Sequence, residues 1–422
     1  MSSPIEGCPN EILYSILQHL TQTDFLNTCL VSHRLRQVAE PLLYCNIRLV
    51  WDASRVPPIT QLLRTILDRP EIAIHVKCLD LDGQFILNPP NRRHRFLAKP
   101  FIVNDLGKTV EAVEAMKVPY CDDWIEGLRR SSMDAFVALL ISQLPSLIRL
   151  YLDKNFTYEF RFIGMMLRSS LCEPSSQNSK LPDFRHLRDV SALTFGAETR
   201  IYEPEAYRNT LDVLPLFYLP SAQRISVSID NPNIFKRRNH WDIPSPISIP
   251  DALTWPAQHA PEPICIESLD LEMIREGPLG KLLSVTKNLK MLHWNWYHMA
   301  NGGDQFTTPL INLDQISADL AHVRHTLTDL TITATCEYDE IDYPPLQTHG
   351  SLSSIVDFEM LKRLQIPLAF LLGFPSETTR RLGDTLPRNI ETLCITEDLS
   401  ERDENYWGEA DVFEAIESWI SD

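Results

Sequence analysis

Two rhythms of apolar and polar positions run along this chain, and one gives way to the other near residue 75. From Cys8 to Ile47 the apolar residues recur three and four apart, which is the period of amphipathic helices. Ile12, Leu13, Ile16, Leu17 and Leu20 make a first stripe, with Pro9 suited to a first helical position and Asn10 and Glu11 to a positive helix end. Thr21 to Asp24 read as a capping box that reopens the helix and sets Phe25, Leu26, Cys29 and Leu30 on one face. Ser32 can cap a third helix bearing Leu35, Val38 and Ala39, which Pro41 should end or restart. A segment of about 40 residues is marginal as a fold of its own, and each Leu or Ile left wet forgoes about 1.5–3 kcal/mol. This stretch carries more apolar side chains than it can bury, so it reads as a docking module.

The second rhythm is an apolar residue, two others, an apolar, one other, an apolar. It occurs at Val76/Leu79/Leu81, Leu147/Leu150/Leu152, Val190/Leu193/Phe195, Ala222/Ile225/Val227 and Ile266/Leu269/Leu271. It continues at Leu289/Leu292/Trp294, Leu327/Leu330/Ile332, Leu361/Leu364/Ile366 and Ile390/Leu393/Ile395. With 44% hydrophobic residues a single match carries no weight, so context decides. Leu-Pro precedes the motif at Leu144-Pro145, Leu219-Pro220 and Leu386-Pro387, and the run LIRLYLDKN at 147–155 resembles a leucine-rich-repeat core through Asn155. The physical meaning is a short strand with two inward residues and a return segment, so that stacked units build a parallel sheet over a continuous core. Other positions equivalent to Asn155 hold varied residues, which argues against a continuous asparagine ladder. Helical returns are predicted at 109–116, 134–144, 278–286 and 314–325. Residues 231–263, with seven Pro and with Trp241 and Trp255, break the rhythm as an insertion loop, and 83–100 is a second candidate. Asp411 can cap a last helix bearing Val412, Phe413, Ile416, Trp419 and Ile420, a lid for the edge of the last strand.

The N-terminal stretch resembles an F-box. The resemblance rests on Pro-x-Glu-Ile-Leu at 9–13, Asp-Phe-Leu at 24–26 and Val-Ser-x-x-x-Arg at 31–36; the ending AEPLLYCNI is similar to F-box proteins of filamentous fungi. Cys8 stands where the family has Leu, and Leu35 where it has Trp. The expected fold is therefore α/β: a three-helix F-box at 1–48, a helical linker at 49–74, an irregular leucine-rich-repeat-like solenoid at 75–396 and an acidic cap at 397–422. The resemblance implies binding of a Skp-family adaptor through Pro9, Ile12, Leu13, Ile16, Leu17, Leu20, Phe25, Leu26, Cys29, Leu30, Val31, Leu35, Leu42 and Leu43. Through the adaptor it implies a cullin, and so a substrate receptor of an SCF-type ubiquitin ligase, itself non-catalytic. An adaptor-binding scaffold without ubiquitin transfer is the alternative, and an enzyme on a repeat scaffold is a third.

Charge and motifs narrow the chemistry. The net charge is −17, and residues 397–422 hold ten Asp or Glu against one Arg. That balance disfavours nucleic acid and anionic membrane as partners. The basic runs Arg92-Arg93/Arg95 and Lys236-Arg237-Arg238 are too short to reverse it. No basic, apolar leader and no apolar run of about 18 residues is visible, so a cytoplasmic or nuclear location is expected. Nine scattered Cys without Cys-x-x-Cys suggest reduced, buried thiols rather than disulfides or zinc. No cofactor is expected: Gly277-Pro-Leu-Gly280-Lys281 lacks phosphate-loop spacing, and neither His293/His298 nor His322/His325 has a zinc-helix glutamate.

For a target protein, stacked strands would line one face with Asp80, Tyr151, Thr194, Ser226, Asp270, His293, Thr331, Gln365 and Cys394, extended by Asp153, Glu272, Asn295, Thr333 and Thr396. That face lacks Lys and Arg and suits a basic or neutral segment. Within it, His293, Asn295, Trp296 and Tyr297 form the expected target footprint, because aromatic and polar groups give large contact area at low ordering cost.

Overall fold

The computed structural model describes residues 4–51, 56–83, 106–153, 155–157, 160–173, 180–193, 212–229, 253–299, 308–337, 346–374, 381–399 and 407–421. They fall into two compact units, Met1–Thr194 and Phe195–Asp422. The first unit opens with three helices: α1 (Asn10–Leu17), α2 (Gln22–Val31) and α3 (His33–Cys45). Pro9 stands one place earlier than expected, as the cap of α1. The capping box of α2 forms as read, with the Thr21 amide donating to Asp24 Oδ2 at 3.1 Å and the Asp24 amide to Thr21 Oγ1 at 3.4 Å. Ser32 caps α3 by accepting the Leu35 amide at 3.3 Å. Pro41 neither ends nor restarts α3; it lies inside it. Its missing amide costs the helix a bond, but Leu35, Val38, Ala39 and Leu43 share one buried stripe, and that burial carries the helix through.

There is no linker after these helices. α3 ends at Cys45 and the strand β1 (Asn46–Val50) starts at the next residue, pairing in parallel with β2 (Cys78–Asp82) from Asn46↔Cys78 to Val50↔Asp82. Of segment 49–74, expected as a helical linker, residues 49–50 belong to β1 and the described residues 56–74 lie in the return between β1 and β2. Its helix α4 (Ile59–Asp68) buries Ile59, Leu63 and Ile66, and a single turn, α5 (Pro70–Ala73), follows. Next come α6 (Gly107–Met116), α7 (Cys121–Arg129) and α8 (Met133–Ser142), then β3 (Arg149–Leu152), α9 (Arg161–Leu171) and β4 (Asp189–Ala192). The order β1-β2-β3-β4 is parallel throughout.

The register of β4 corrects the expected triplet. Val190 and Ala192, not Leu193 and Phe195, lie opposite Leu150 and Leu152, with Leu187 leading in. Two overlapping triplets fit the sequence, and the register takes the one that places Ala192 inward; Thr194 and Phe195 lie outside the described residues. Ser191, not Thr194, is therefore the outward residue beside Tyr151.

The second unit repeats the plan with β5 (Arg224–Ser228), β6 (Ser268–Glu272), β7 (Met291–Met299), β9 (Asp329–Glu337), β11 (Arg363–Pro367) and β12 (Thr392–Thr396), parallel in that order. A separate parallel pair joins β8 (Leu310–Asn312) to β10 (Gln347–His349). The expected returns appear as helices Pro278–Leu283 and Leu313–Leu320, the latter running into a tight turn at Ala321–Val323. Irregular spacing in sequence hides a regular device. Before each strand from β6 onward, excluding the small pair, one carbonyl of the preceding lead-in accepts two successive amides: Gln223 from Glu267 and Ser268, Glu267 from Lys290 and Met291, Lys290 from Thr328 and Asp329. Thr328 and Lys362 continue the series. In the first unit Lys77 and Ile148 do the same for β3 and β4. Returns of any length can then be accommodated, because the lead-in alone sets the register.

Most of the 231–263 insertion, Trp241 included, and the 83–100 loop beyond Gly83 lie outside the described residues. Trp255 is half-buried, packed edge-on to Phe217 at 5.8 Å and Tyr218 at 6.3 Å. The last helix, Glu409–Ser421, starts before Asp411; Gly408 takes the cap position, its carbonyl accepting the Val412 amide at 3.1 Å.

Candidate protein-docking surface

The helical module sorts its apolar residues into an inside and an outside. Leu13, Leu17, Phe25, Leu35, Val38, Ala39 and Leu43 form one buried cluster, with Cys29 and Leu42 partly buried against it. Five of the expected adaptor contacts, Leu13, Leu17, Phe25, Leu35 and Leu43, are thus core residues of the module itself. The outward set is Pro9, Ile12, Ile16, Leu20, Leu26, Leu30 and Val31; Leu30 is 76% and Val31 69% exposed. Tyr14 at 49% and Ile5 at 40% join it, unread from the sequence. The signal was there for Tyr14: apolar residues all round a short helix cannot all face one core.

Polar contacts hold these helices rigid under the outward stripe. Gln22 Nε2 donates to the Leu43 carbonyl at 2.8 Å, Arg36 Nε to the Cys29 carbonyl at 3.1 Å, and Arg34 to the Cys8 carbonyl. Arg69 grips Glu40 with two bonds of 2.8 Å, which ties α3 to the first return and holds the Glu40 carboxyl below its ordinary range. Asp24 is held low by its bonds from Thr21. An exposed apolar stripe on a fixed, capped scaffold can dock a complementary helix groove or helix face; it has no reacting group.

The expected target footprint divides in the same way. His293 and Asn295 face outward or half-outward on β7, whereas Trp296 and Tyr297 are buried. Trp296 lies under Arg275, whose guanidinium carbon is 4.3 Å from its ring, packs edge-on to Phe370 at 6.1 Å and donates to Glu276 Oε2 at 3.1 Å. Burial pushes the Glu276 carboxyl up, but the charge and hydrogen bonds of Arg275 and backbone amide bonds outweigh it and leave it below its ordinary value. The sequence pattern missed this because β7 runs four residues beyond β6, and its extension is covered by the loop that carries Arg275 and Glu276.

Outward residues stand in columns: Asp80, Tyr151 and Ser191 in the first unit, and Ser226, Asp270, His293, Thr331, Gln365 and Cys394 in the second. Asp270 Oδ1 and His293 Nδ1 are 2.9 Å apart, and that bond raises the imidazole pKa against the opposing effect of burial. Glu272 accepts from Ser228 at 3.0 Å, Asn295 lies next to Glu272, and Thr333 follows. Asp153, expected outside, is buried and accepts the Gly83 amide at 3.4 Å. The side-chain amide of Asn155 is buried with neither atom bonded among the described residues, so no asparagine rung is seen there.

Among the described residues, the remaining histidines and cysteines do not gather into a metal site. His293 is half-exposed and His298 buried, so the pair points apart. His325 Nε2 accepts from Arg324 at 2.9 Å. Among the described residues no group of three or more His, Cys, Asp or Glu is placed to hold a metal, and no helix is long and apolar enough to cross a membrane. All nine cysteines are free thiols, but none is fully buried as expected: eight are half-buried and Cys394 is exposed. Burial raises the pKa of Cys29, Cys78 and Cys121, and pushes Cys172 up to about 12, so these thiols stay protonated and weakly nucleophilic at neutral pH.

Fold and surface define a class: three helices with an exposed apolar stripe, followed by parallel-strand repeats. Family models match the three helices and the chain as far as the segment after β5. An F-box-like model matches residues 7–50 and a leucine-rich repeat domain model matches residues 53–247. The chain carries an F-box-like domain followed by a leucine-rich repeat domain, the architecture of adaptor-binding and substrate-recognition proteins. No curated protein matches it significantly.

Proposed function

We propose that this protein is the substrate-recognition subunit of an SCF-type cullin-RING ubiquitin ligase. The F-box helices bind a Skp-family adaptor, the adaptor brings a cullin, and the repeat strands hold a target. The observation that carries the reading is the exposed stripe of Ile12, Ile16, Leu26, Leu30 and Val31 on a module whose own core is complete without it. The mechanism is positioning: holding a target beside the ubiquitin-loaded enzyme raises its effective concentration, and the bond-making groups belong to other subunits. His293 and Asn295, with Asp270 and Glu272, supply a polar target surface suited to a basic or neutral segment.

The test is co-purification of the full chain with a Skp-family adaptor. Ile16→Asp with Leu30→Asp should abolish capture while circular dichroism and melting stay unchanged, because a carboxylate in an apolar contact is costly only once the contact forms. Undiminished capture by the folded double variant would refute the F-box reading. Cullin recovered with the adaptor supports the ligase; adaptor without cullin supports a scaffold.

A further inference from the structure

The C-terminal helix does not close on the last strand. Leu393 and Ile395 of β12 are only half-buried, unlike the inward residues of β5 to β11, and no described side chain of Glu409–Ser421 is buried at all. Between strand and helix lies a cavity of about 570 Å³. Packed interiors hold few voids larger than a water, whereas cavities of about 300–1,000 Å³ are the size of small-molecule sites. Eleven of its fourteen lining residues are apolar, and four of those are aromatic: Phe374, Trp407, Phe413 and Trp419. Phe374 lies beyond β11, Trp407 before the last helix, and Phe413 and Trp419 on it, so rings reach the cavity from two separate segments.

Two walls are fixed in place. Asp398 Oδ2 accepts the Ala334 amide at 2.9 Å, and Trp407 Nε1 donates to the Gly373 carbonyl at 3.2 Å. A ligand is therefore not needed to order those walls, and its binding energy is not spent on them.

We propose that this cavity binds a neutral aromatic small molecule with a body of about two fused rings, held between Trp407 and Phe374 on one side and Phe413 and Trp419 on the other. The apolar majority of the lining selects the body of the ligand, because hydrocarbon moved there from water is stabilised in proportion to its area, whereas a charge of either sign placed against it is costly. Aromatic side chains add offset-stacked and edge-on contacts that a saturated ring cannot return. The inference is independent of the adaptor surface and stands or falls without it.

Naphthalene, benzene and cyclohexane, none of which carries a head group, test it on the full-length protein. Binding is followed by titration calorimetry and by hydrogen-exchange protection of residues 409–421. Naphthalene should bind about tenfold more tightly than benzene, from its larger apolar area. Benzene should bind at least as tightly as cyclohexane, although the saturated ring is the more hydrophobic. Ala369→Phe, which fills the cavity from one wall, should abolish binding of all three, and Leu393→Trp, at a half-buried position on the other wall, gives the same reading if the first variant does not fold. Ile16→Asp with Leu30→Asp should leave naphthalene binding unchanged, which separates the cavity from the exposed stripe of the N-terminal helices. No naphthalene binding, cyclohexane binding more tightly than benzene, binding that survives in the folded filled variants, or binding lost with Ile16 and Leu30 would overturn the proposal.

Discussion

Leu13 and Ile16 lie three places apart on one short helix and do opposite things. Leu13 is fully buried in the module's core, and Ile16 is 47% exposed. Leu13→Ala should cost about 2–5 kcal/mol, and Ile16→Ala about 0.5 kcal/mol or less, read as the difference in urea midpoint between the two variants. The sequence showed that both are apolar and that the module has too many such residues. It could not show which face each takes, since inside and outside are alike in composition on a helix with apolar residues all round. At His293 the environment rather than the residue type matters. Its bond to Asp270 raises its pKa, so folding favours the protonated ring. That stabilisation is fully present below the ordinary histidine pKa and is lost as pH rises through the folded value. Asp270→Asn should return the His293 titration, followed by NMR, towards its ordinary position; an unmoved titration would remove the pair as the cause.

At the scale of elements, capping was the most legible feature and coverage the least. Thr21 and Ser32 do what their spacing says, and Thr21→Ala should cost about 0.5–2 kcal/mol in thermal or urea unfolding. Strand triplets were legible where both inward places hold large residues, and slipped at β4 where one holds Ala192. The strand β1 escaped notice because Ile47 and Leu49 follow a helix without a turn signal between them. Trp296 reads as outward from the sequence because its cover, Arg275 and Glu276, is a charged pair that reads as solvent-facing. With Arg275 removed, Glu276 is left buried without its cation, so Arg275→Ala should destabilise by about 3–5 kcal/mol in a urea melt. Replacing Glu276 with Gln in that background should recover part of the loss.

Over the molecule as a whole, the arrangement of helices first, parallel strands after and an acidic end could be read from periodicity and charge, because each is a property of many residues together. The fit of the last helix against β12 could not, since it depends on how far a lid settles rather than on which residues compose it. The same holds for the junction at Cys45 and Asn46. There α3 becomes β1 within one residue, the Lys77 amide donates to the Cys45 carbonyl at 2.9 Å, and Arg69 clamps Glu40. The joint is a bracket and not a tether: a grip on the three helices also aims β1 and β2. In a ligase that hands ubiquitin across a gap, aim would then decide which lysines of a target come within reach, and slack would blur that choice. Under the proposed ligase role, a flexible Gly-Ser insert of about eight residues at this joint should leave capture of adaptor and of target each intact, while spreading ubiquitin over more sites and slowing transfer to the preferred one.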